Sequence, residues 1–134
     1  MSAQMLYSEG VIGYGESVYA RNLNLSVAAL ENRRGEFVLP TPQASALALS
    51  EIKLPENLRA FEPDPAGVGA YPIVTYTWIL TYRQYPKAAA AEALRAVLRW
   101  ALTKGQALAK EMGYLPLAET VVARSLEALQ LIQS

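Results

Sequence analysis

The sequence predicts a mixed α/β fold, and three observations carry that prediction. Tyr71 to Tyr82 reads as one extended run of hydroxyl, aromatic and β-branched side chains, about twice the usual strand length of 5 to 6 residues. Downstream, Leu94, Val97, Leu98, Ala101, Leu102, Leu108, Ala109 and Met112 recur at helical spacing. Upstream, Asn32-Arg33-Arg34-Gly35 between two apolar stretches is a polar triplet closed by glycine, a hairpin signal. A strand that long either serves two sheets in succession or crosses between two structural units.

In chain order, Val11 to Tyr14 is a short apolar run among glycines and reads as a strand, followed by a glycine turn and a short helix within Ser17 to Leu25. Val27 to Leu30 and Glu36 to Leu39 form the arms of the hairpin. Thr41 is placed to cap a helix whose first residue is Pro42 and which runs to about Glu51. From Ile52 to Val68, three prolines and Gly67 with little periodicity predict a loop or linker. The long strand follows, then a helix from about Pro86 to Met112. Gly113 stands where a left-handed C-terminal residue belongs, with Tyr114 able to pack back on the last turn. A final helix spans about Ala118 to Ile132, with Val122, Leu126 and Leu129 on one side.

Composition narrows the function. The chain has 134 residues, 52% of them apolar, which suits one domain of ordinary size. Lys and Arg number 12 and Asp and Glu number 12, and neither sign forms a block. Nothing therefore draws a nucleic-acid backbone or an anionic membrane from a distance, and nucleic acid is not an expected partner. There is no cysteine and no histidine, which removes disulfides, thiol catalysis, Cys/His zinc sites and any imidazole proton shuttle. Asp64 is the only aspartate, and the glutamates sit where solvated charge is the ordinary reading. The sequence points to neither an enzyme nor a cofactor or metal site.

The N-terminal residues lack the charged cluster and apolar run of a secretory signal, and no segment offers about 18 consecutive apolar residues for a membrane span. If Met1 is the natural start, the expected location is the cytoplasm.

Local motifs favour structural roles. Gly10-Val-Ile-Gly-Tyr-Gly15 matches neither nucleotide-loop pattern, and Glu16 would set a negative charge where a bound phosphate would lie. Arg33 and Arg34 read as a solvated hairpin tip. Glu92 and Arg95, three apart on one helix, read as a surface pair.

Taken together, Gly10-Val-Ile-Gly-Tyr14 with Tyr19-Ala20, Pro40-Thr41, Ala70 to Leu80, Trp100 to Gln106, Gly113-Tyr-Leu-Pro-Leu117 and Val121-Val122 resemble, in order, the C-terminal part of the phosphate-binding protein of Pst-type ABC transporters. That is a two-lobed, type II periplasmic binding protein family. The resemblance implies a partial α/β fold of that type, with a long interlobe strand and a C-terminal helix pair. Residues 1–70 would end the second lobe, and residues 71–134 would supply the interlobe strand and the C-terminal helices of the first. A single long central strand in one compact domain stays open as the alternative.

The resemblance also implies an absence. The family holds phosphate with early first-lobe loops and with an arginine near a Ser-Gly-Thr segment, and no Ser-Gly-Thr occurs in this sequence. No phosphate ligand is assigned, and Thr75, Thr77 and Thr81 do not transfer as ligands. The expected protein is a truncated or split relative that does not capture phosphate alone and acts by association. Its partners would be a second copy, the missing half of the binding protein, or the phosphate permease. The resemblance implies a periplasmic location. An oligomer that rebuilds the cleft and binds phosphate is the second reading, and an unrelated small enzyme is the third.

Overall fold

A computed structural model describes residues 2–134 and, from residue 4 onward, their side chains. It shows a mixed fold of helices with one small sheet. After a 3-10 turn at Ser2–Leu6 come α1 (Ser17–Asn22), β1 (Leu30–Glu31), β2 (Phe37–Val38), α2 (Pro42–Glu51), α3 (Ala88–Leu102), the single turn α4 (Gln106–Ala109), α5 (Glu119–Ala128) and a 3-10 turn at Leu129–Leu131.

The hairpin forms where the glycine signal placed it. β1 and β2 run antiparallel, with Leu30 opposite Val38 and Glu31 opposite Phe37. Gly35 takes φ +77 and its amide donates to the Asn32 carbonyl at 2.9 Å, a three-residue loop closed by a left-handed glycine. Helix α2 begins as expected, with Pro42 in its first turn and the Thr41 hydroxyl accepting from the Ala44 amide at 3.1 Å. Its small residues are the buried ones: Ala44 and Ala48 sit with Ile52 and Ala70 out of solvent. The Ile52 to Val68 stretch carries no helix or strand, as its prolines required.

Two expected strands do not form. Among the described residues neither Val11 to Tyr14 nor Tyr71 to Tyr82, the expected interlobe strand, joins a strand ladder. From Val74 to Tyr82 the chain runs without turn or bend, so the β pattern gives a straight segment. A strand assignment requires a neighbouring strand to exchange hydrogen bonds with, and none lies beside this segment among the described residues.

The Pro86 to Met112 helix is also shorter than its periodicity suggests. It breaks after Leu102, where the Thr103 hydroxyl donates to the Arg99 carbonyl at 2.7 Å and the Gln106 amide group donates to the Ala101 carbonyl at 2.9 Å. These side chains satisfy the carbonyls that the next helical turn would have used. Gly105 lets the chain turn tightly there, because a Cβ on it would stand 2.9 Å from the Ala101 Cα. Gly113 takes φ +86, and the Tyr114 amide reaches back to the Ala109 carbonyl at 2.8 Å, as the capping pattern predicts.

The C-terminal helices pack on each other. Ala91, Leu129 and Ile132 are buried, with Tyr85, Leu94, Leu98, Leu102 and Leu126 against them. Glu92 and Arg95 do not form the expected pair: the Arg95 guanidinium donates to the Ile132 carbonyl at 2.6 Å, fastening the chain end to α3. An isolated parallel bridge joins Gln84 to Gln133.

No large side chain is fully buried among the described residues. The accessible surface is 10010 Å² for a mass of 14.6 kDa, where a compact monomer of that mass exposes about 6,900 Å². The excess of about 3,000 Å² marks an α/β unit that covers only part of its apolar surface.

Candidate functional site

Two features stand out: a polar clamp that fixes the start of the 71–82 segment, and the bare segment that leaves it.

The clamp is built on the hairpin loop. Asn32 is buried at 4% exposure. Its Oδ1 accepts from the amides of Arg34 and Glu36 at 3.0 and 3.1 Å, and its Nδ2 donates to Glu36 Oε2 at 3.0 Å and to the Ala70 carbonyl at 3.2 Å. Glu36 Oε2 also accepts from the Gly69 amide at 2.9 Å. Donation from Asn32, then from Gly69, with a smaller contribution from the Arg34 charge, outweighs desolvation and holds the Glu36 carboxyl below its ordinary range.

Beside it, the Arg33 amide donates to Asp64 Oδ1 at 2.9 Å, and Arg33 Nε stands 3.9 Å from Oδ2. Arg33 is therefore not the freely solvated tip its position suggests. Asp64 takes φ +53, a conformation Asp tolerates better than most residues, and its amide donates to the Pro72 carbonyl at 3.0 Å. The Tyr71 amide donates to the Ala44 carbonyl of α2 at 3.2 Å. Residues 63–72 are thus tied to the hairpin and to α2 by charged, polar and backbone bonds. Nothing in the spacing announced these contacts, which bridge 31 to 38 residues. The one available signal was Asn32 three residues before Gly35, a turn-forming asparagine.

Beyond Pro72 the ties change. The Tyr76 hydroxyl donates to the Leu49 carbonyl at 3.2 Å and Trp78 Nε1 donates to the Leu58 carbonyl at 2.9 Å. Burial raises the Tyr76 phenol. Val74 and Tyr76 are half-buried and Trp78 is 36% exposed, with Tyr76 tied to α2 and Trp78 to the following loop. The odd positions Ile73, Thr75, Thr77, Ile79 and Thr81 are exposed, so the period of two expected of a strand survives. Past Trp78 shelter ends, with Leu80 at 92% and Tyr82 at 79% exposure. Among the described residues no backbone hydrogen bond to another backbone group involves residues 73–81. An open apolar groove of about 290 Å³ lies at the segment's start, between Phe61, Pro63, Pro72, Ile73, Val74 and Thr75.

The groups that could hold an anion do not converge. Gly13 and Gly15 lie in an exposed loop, and Glu16 precedes the six-residue α1 without a side-chain capping bond, its Oε2 accepting instead from the Tyr114 hydroxyl at 2.6 Å. That bond, with the Glu16 charge, raises the Tyr114 phenol. Arg95 donates one guanidinium bond to the Ile132 carbonyl and Arg124 donates to the carbonyls of Leu54 and Pro55, so the two point at different backbone sites. Thr75, Thr77 and Thr81 face outward on the bare side of the segment. Among the described residues no cluster of three metal-ligating side chains occurs, and no helix is long and apolar enough to cross a membrane.

The fold is thus a mixed α/β unit with little core and, among the described residues, an extended segment without a ladder. The comparisons with known proteins give the chain a family. The chain is 34% identical over 137 aligned positions to the phosphate-binding protein PstS of Methanocaldococcus jannaschii, covering 91% of this chain and 35% of that protein. It is 33% identical over 117 positions to PstS of Xylella fastidiosa and 30% over 122 positions to PstS of Haemophilus influenzae. Those matches cover 85% and 90% of this chain, and 32% and 36% of the relatives. No protein-family model matches the chain. The chain is a member of the PstS phosphate-binding protein family over that shared stretch, and it spans about a third of the length of the relatives it matches.

Proposed function

We propose that this chain serves phosphate ABC transport as part of a PstS-like binding protein, and that it holds phosphate only when joined by further polypeptide. The observation that carries this reading is the 34% identity spread over 91% of the chain to a phosphate-binding protein. The dispersal of Arg95, Arg124, Gly13 and the Thr75 hydroxyl supports the second half, since oxyanion capture needs several donors aimed at one point. So does the lack of a Ser-Gly-Thr segment.

In this reading residues 1–70 belong to the second lobe and residues 71–134 to the first, with the bare segment as the crossing between them. The role is binding rather than catalysis, the setting is periplasmic, and the surfaces left open are met by a second copy or by the remainder of a PstS-like protein. The permease of the transporter is the next partner along the route.

Calorimetry with inorganic phosphate at low ionic strength tests the reading. The 134-residue polypeptide should show no affinity tighter than millimolar. A saturable one-to-one micromolar isotherm would overturn it and favour an oligomer that rebuilds the cleft.

A further inference from the structure

The turn from Pro55 to Leu58 is held from outside by two side chains that lie far from it in sequence. Its own bond is ordinary, with the Leu58 amide donating to the Pro55 carbonyl at 3.0 Å. Leu58 then takes φ +57, a left-handed conformation that a bulky side chain disfavours. Asn57, which would tolerate it, stands one residue early and accepts from the Arg59 amide at 3.0 Å instead.

Both ends of this turn are gripped. Arg124 of α5 donates to the Leu54 carbonyl and, at 2.8 Å, to the Pro55 carbonyl. Trp78 Nε1 donates to the Leu58 carbonyl at 2.9 Å. Pro55 fixes its own φ and keeps Leu54 extended, so the two carbonyls that Arg124 takes are set in advance, and a guanidinium has donors for both.

The grips matter because little else joins the two packed parts of the chain. Ala44, Ala48, Ile52 and Ala70 are buried in the first part, and Ala91, Leu129 and Ile132 form a separate cluster in the second. Among the described residues, the hydrogen bonds between residues 23–72 and residues 83–134 all come from Arg124. A cleft of about 180 Å³ between Ile52, Leu54, Thr120, Val121 and Arg124 opens beside it, which leaves the junction short of apolar packing.

We propose that the Pro55–Leu58 turn is a strained latch: Arg124 and Trp78 hold Leu58 left-handed while the C-terminal helices are docked on α2 and the hairpin, and the turn relaxes when those helices swing away. The inference rests on contacts inside this chain and not on its reading as a phosphate binder. The Arg124 bond to Pro55 and the Trp78 bond to Leu58 are exposed, so water competes for the same carbonyls. Strain at Leu58 works in the same direction. Docking is therefore held by a narrow margin, as a latch that must open requires.

The chain has no cysteine, so spin labels on Gln43→Cys and Ala96→Cys, at exposed positions of α2 and α3, report the distance between the two parts. Pulsed electron spin resonance should give one narrow distance for the labelled chain. Arg124→Met keeps the stem and removes the donors, and Trp78→Phe keeps a ring and removes the indole N–H. Each should add a second, longer distance, with amide exchange in α2 and α3 unchanged. Leu58→Gly is the decisive variant. Trimming a half-buried leucine ordinarily loosens a structure, but glycine takes positive φ without steric strain. Added to Arg124→Met, it should shift the ratio of short to long distance back by about fivefold.

A broad distribution in the labelled chain itself, or an unchanged narrow one in either Arg124→Met or Trp78→Phe, overturns the proposal. So does a ratio that Leu58→Gly leaves unchanged or lowers, since the turn would then carry no strain to release. Loss of amide protection in α2 and α3 together with the second distance overturns it as well, because the parts would separate by unfolding rather than by opening a latch.

Discussion

The amide of Gly69 donates to Glu36 Oε2 at 2.9 Å across 33 residues of sequence, and this bond ties the loop before the bare segment to the hairpin. Gly69 takes φ +68, so the amide is aimed at the carboxylate by a backbone turn that glycine adopts without strain. Asn32 holds the same carboxylate oxygen from the other side at 3.0 Å. The bare segment therefore leaves a fixed point, and its direction is set by the hairpin rather than by any strand beside it.

Acid should loosen this clamp. The folded Glu36 carboxyl titrates below its ordinary value of 4.5 because its ionised form accepts from Asn32 and Gly69. Its contribution is complete above that ordinary value and is lost as pH falls through it toward the lower folded value. Urea midpoints measured from neutral pH into the acid range should fall for the parent chain, and fall less for Glu36→Gln.

Asn32 tests the clamp at its centre. It is 4% exposed and uses both ends of its amide. Asn32→Ala should lower unfolding free energy by about 1 to 3 kcal/mol, the cost of leaving buried partners unmatched. Asn32→Asp should cost more, since a second carboxylate would meet Glu36 and the Ala70 carbonyl with no proton to give. Equal stability of the two variants in chemical denaturation would show that the amide protons are dispensable.

The N-cap of α2 offers a smaller effect. Thr41→Ala removes the acceptor for the Ala44 amide and should cost about 1 kcal/mol, while Thr41→Ser should retain most of it. Thermal unfolding followed by circular dichroism reads the difference.

What was legible in the sequence follows a physical line. Thr41, Pro42, Gly35 and Gly113 act through bonds made within a few residues, and each stands where local chemistry put it. The segment 71–82 has the composition of a strand and from Val74 onward runs without turn or bend, but ladder formation needs a second chain segment that no local pattern can supply. The helix after Pro86 broke because Thr103 and Gln106 turned their side chains onto the α3 carbonyls, a competition hidden from hydrophobic spacing. Arg33 and Arg95 were read as surface charge, and found Asp64 and the Ile132 carbonyl through the fold. The family was visible in the motifs and is upheld by the PstS matches. The lobe boundaries stay a proposal.

Gly113 and Gly10 form a matched pair. Both take positive φ, +86 and +74, so alanine strains the backbone at either. At Gly10 an added Cβ meets nothing within 4 Å, while at Gly113 it would press on Arg21 and stand 2.7 Å from Val18 Cγ2. Gly113→Ala should lose the strain of about 1 to 3 kcal/mol and a packing cost besides, and Gly10→Ala the strain alone. The difference between the two melting curves isolates the contact of α1 with the turn after α4.

Amide exchange gives the last test, because it reads each backbone group separately. In a single copy the amides of Ile73 to Thr81 have no backbone acceptor, so they should exchange at rates close to those of an unstructured peptide. The amides of α3 should be protected by intrahelical bonds whatever the concentration. If the segment pairs with a second copy, protection of alternate residues should rise with chain concentration, because antiparallel pairing hydrogen-bonds every other residue of a strand to its neighbour. Tyr82 should respond least, since its amide already donates to the Tyr85 hydroxyl at 3.3 Å. Protection that is concentration-independent across 73–81 would mean the chain satisfies these groups within itself. Fast exchange at every concentration would mean that the segment stays bare unless another polypeptide covers it.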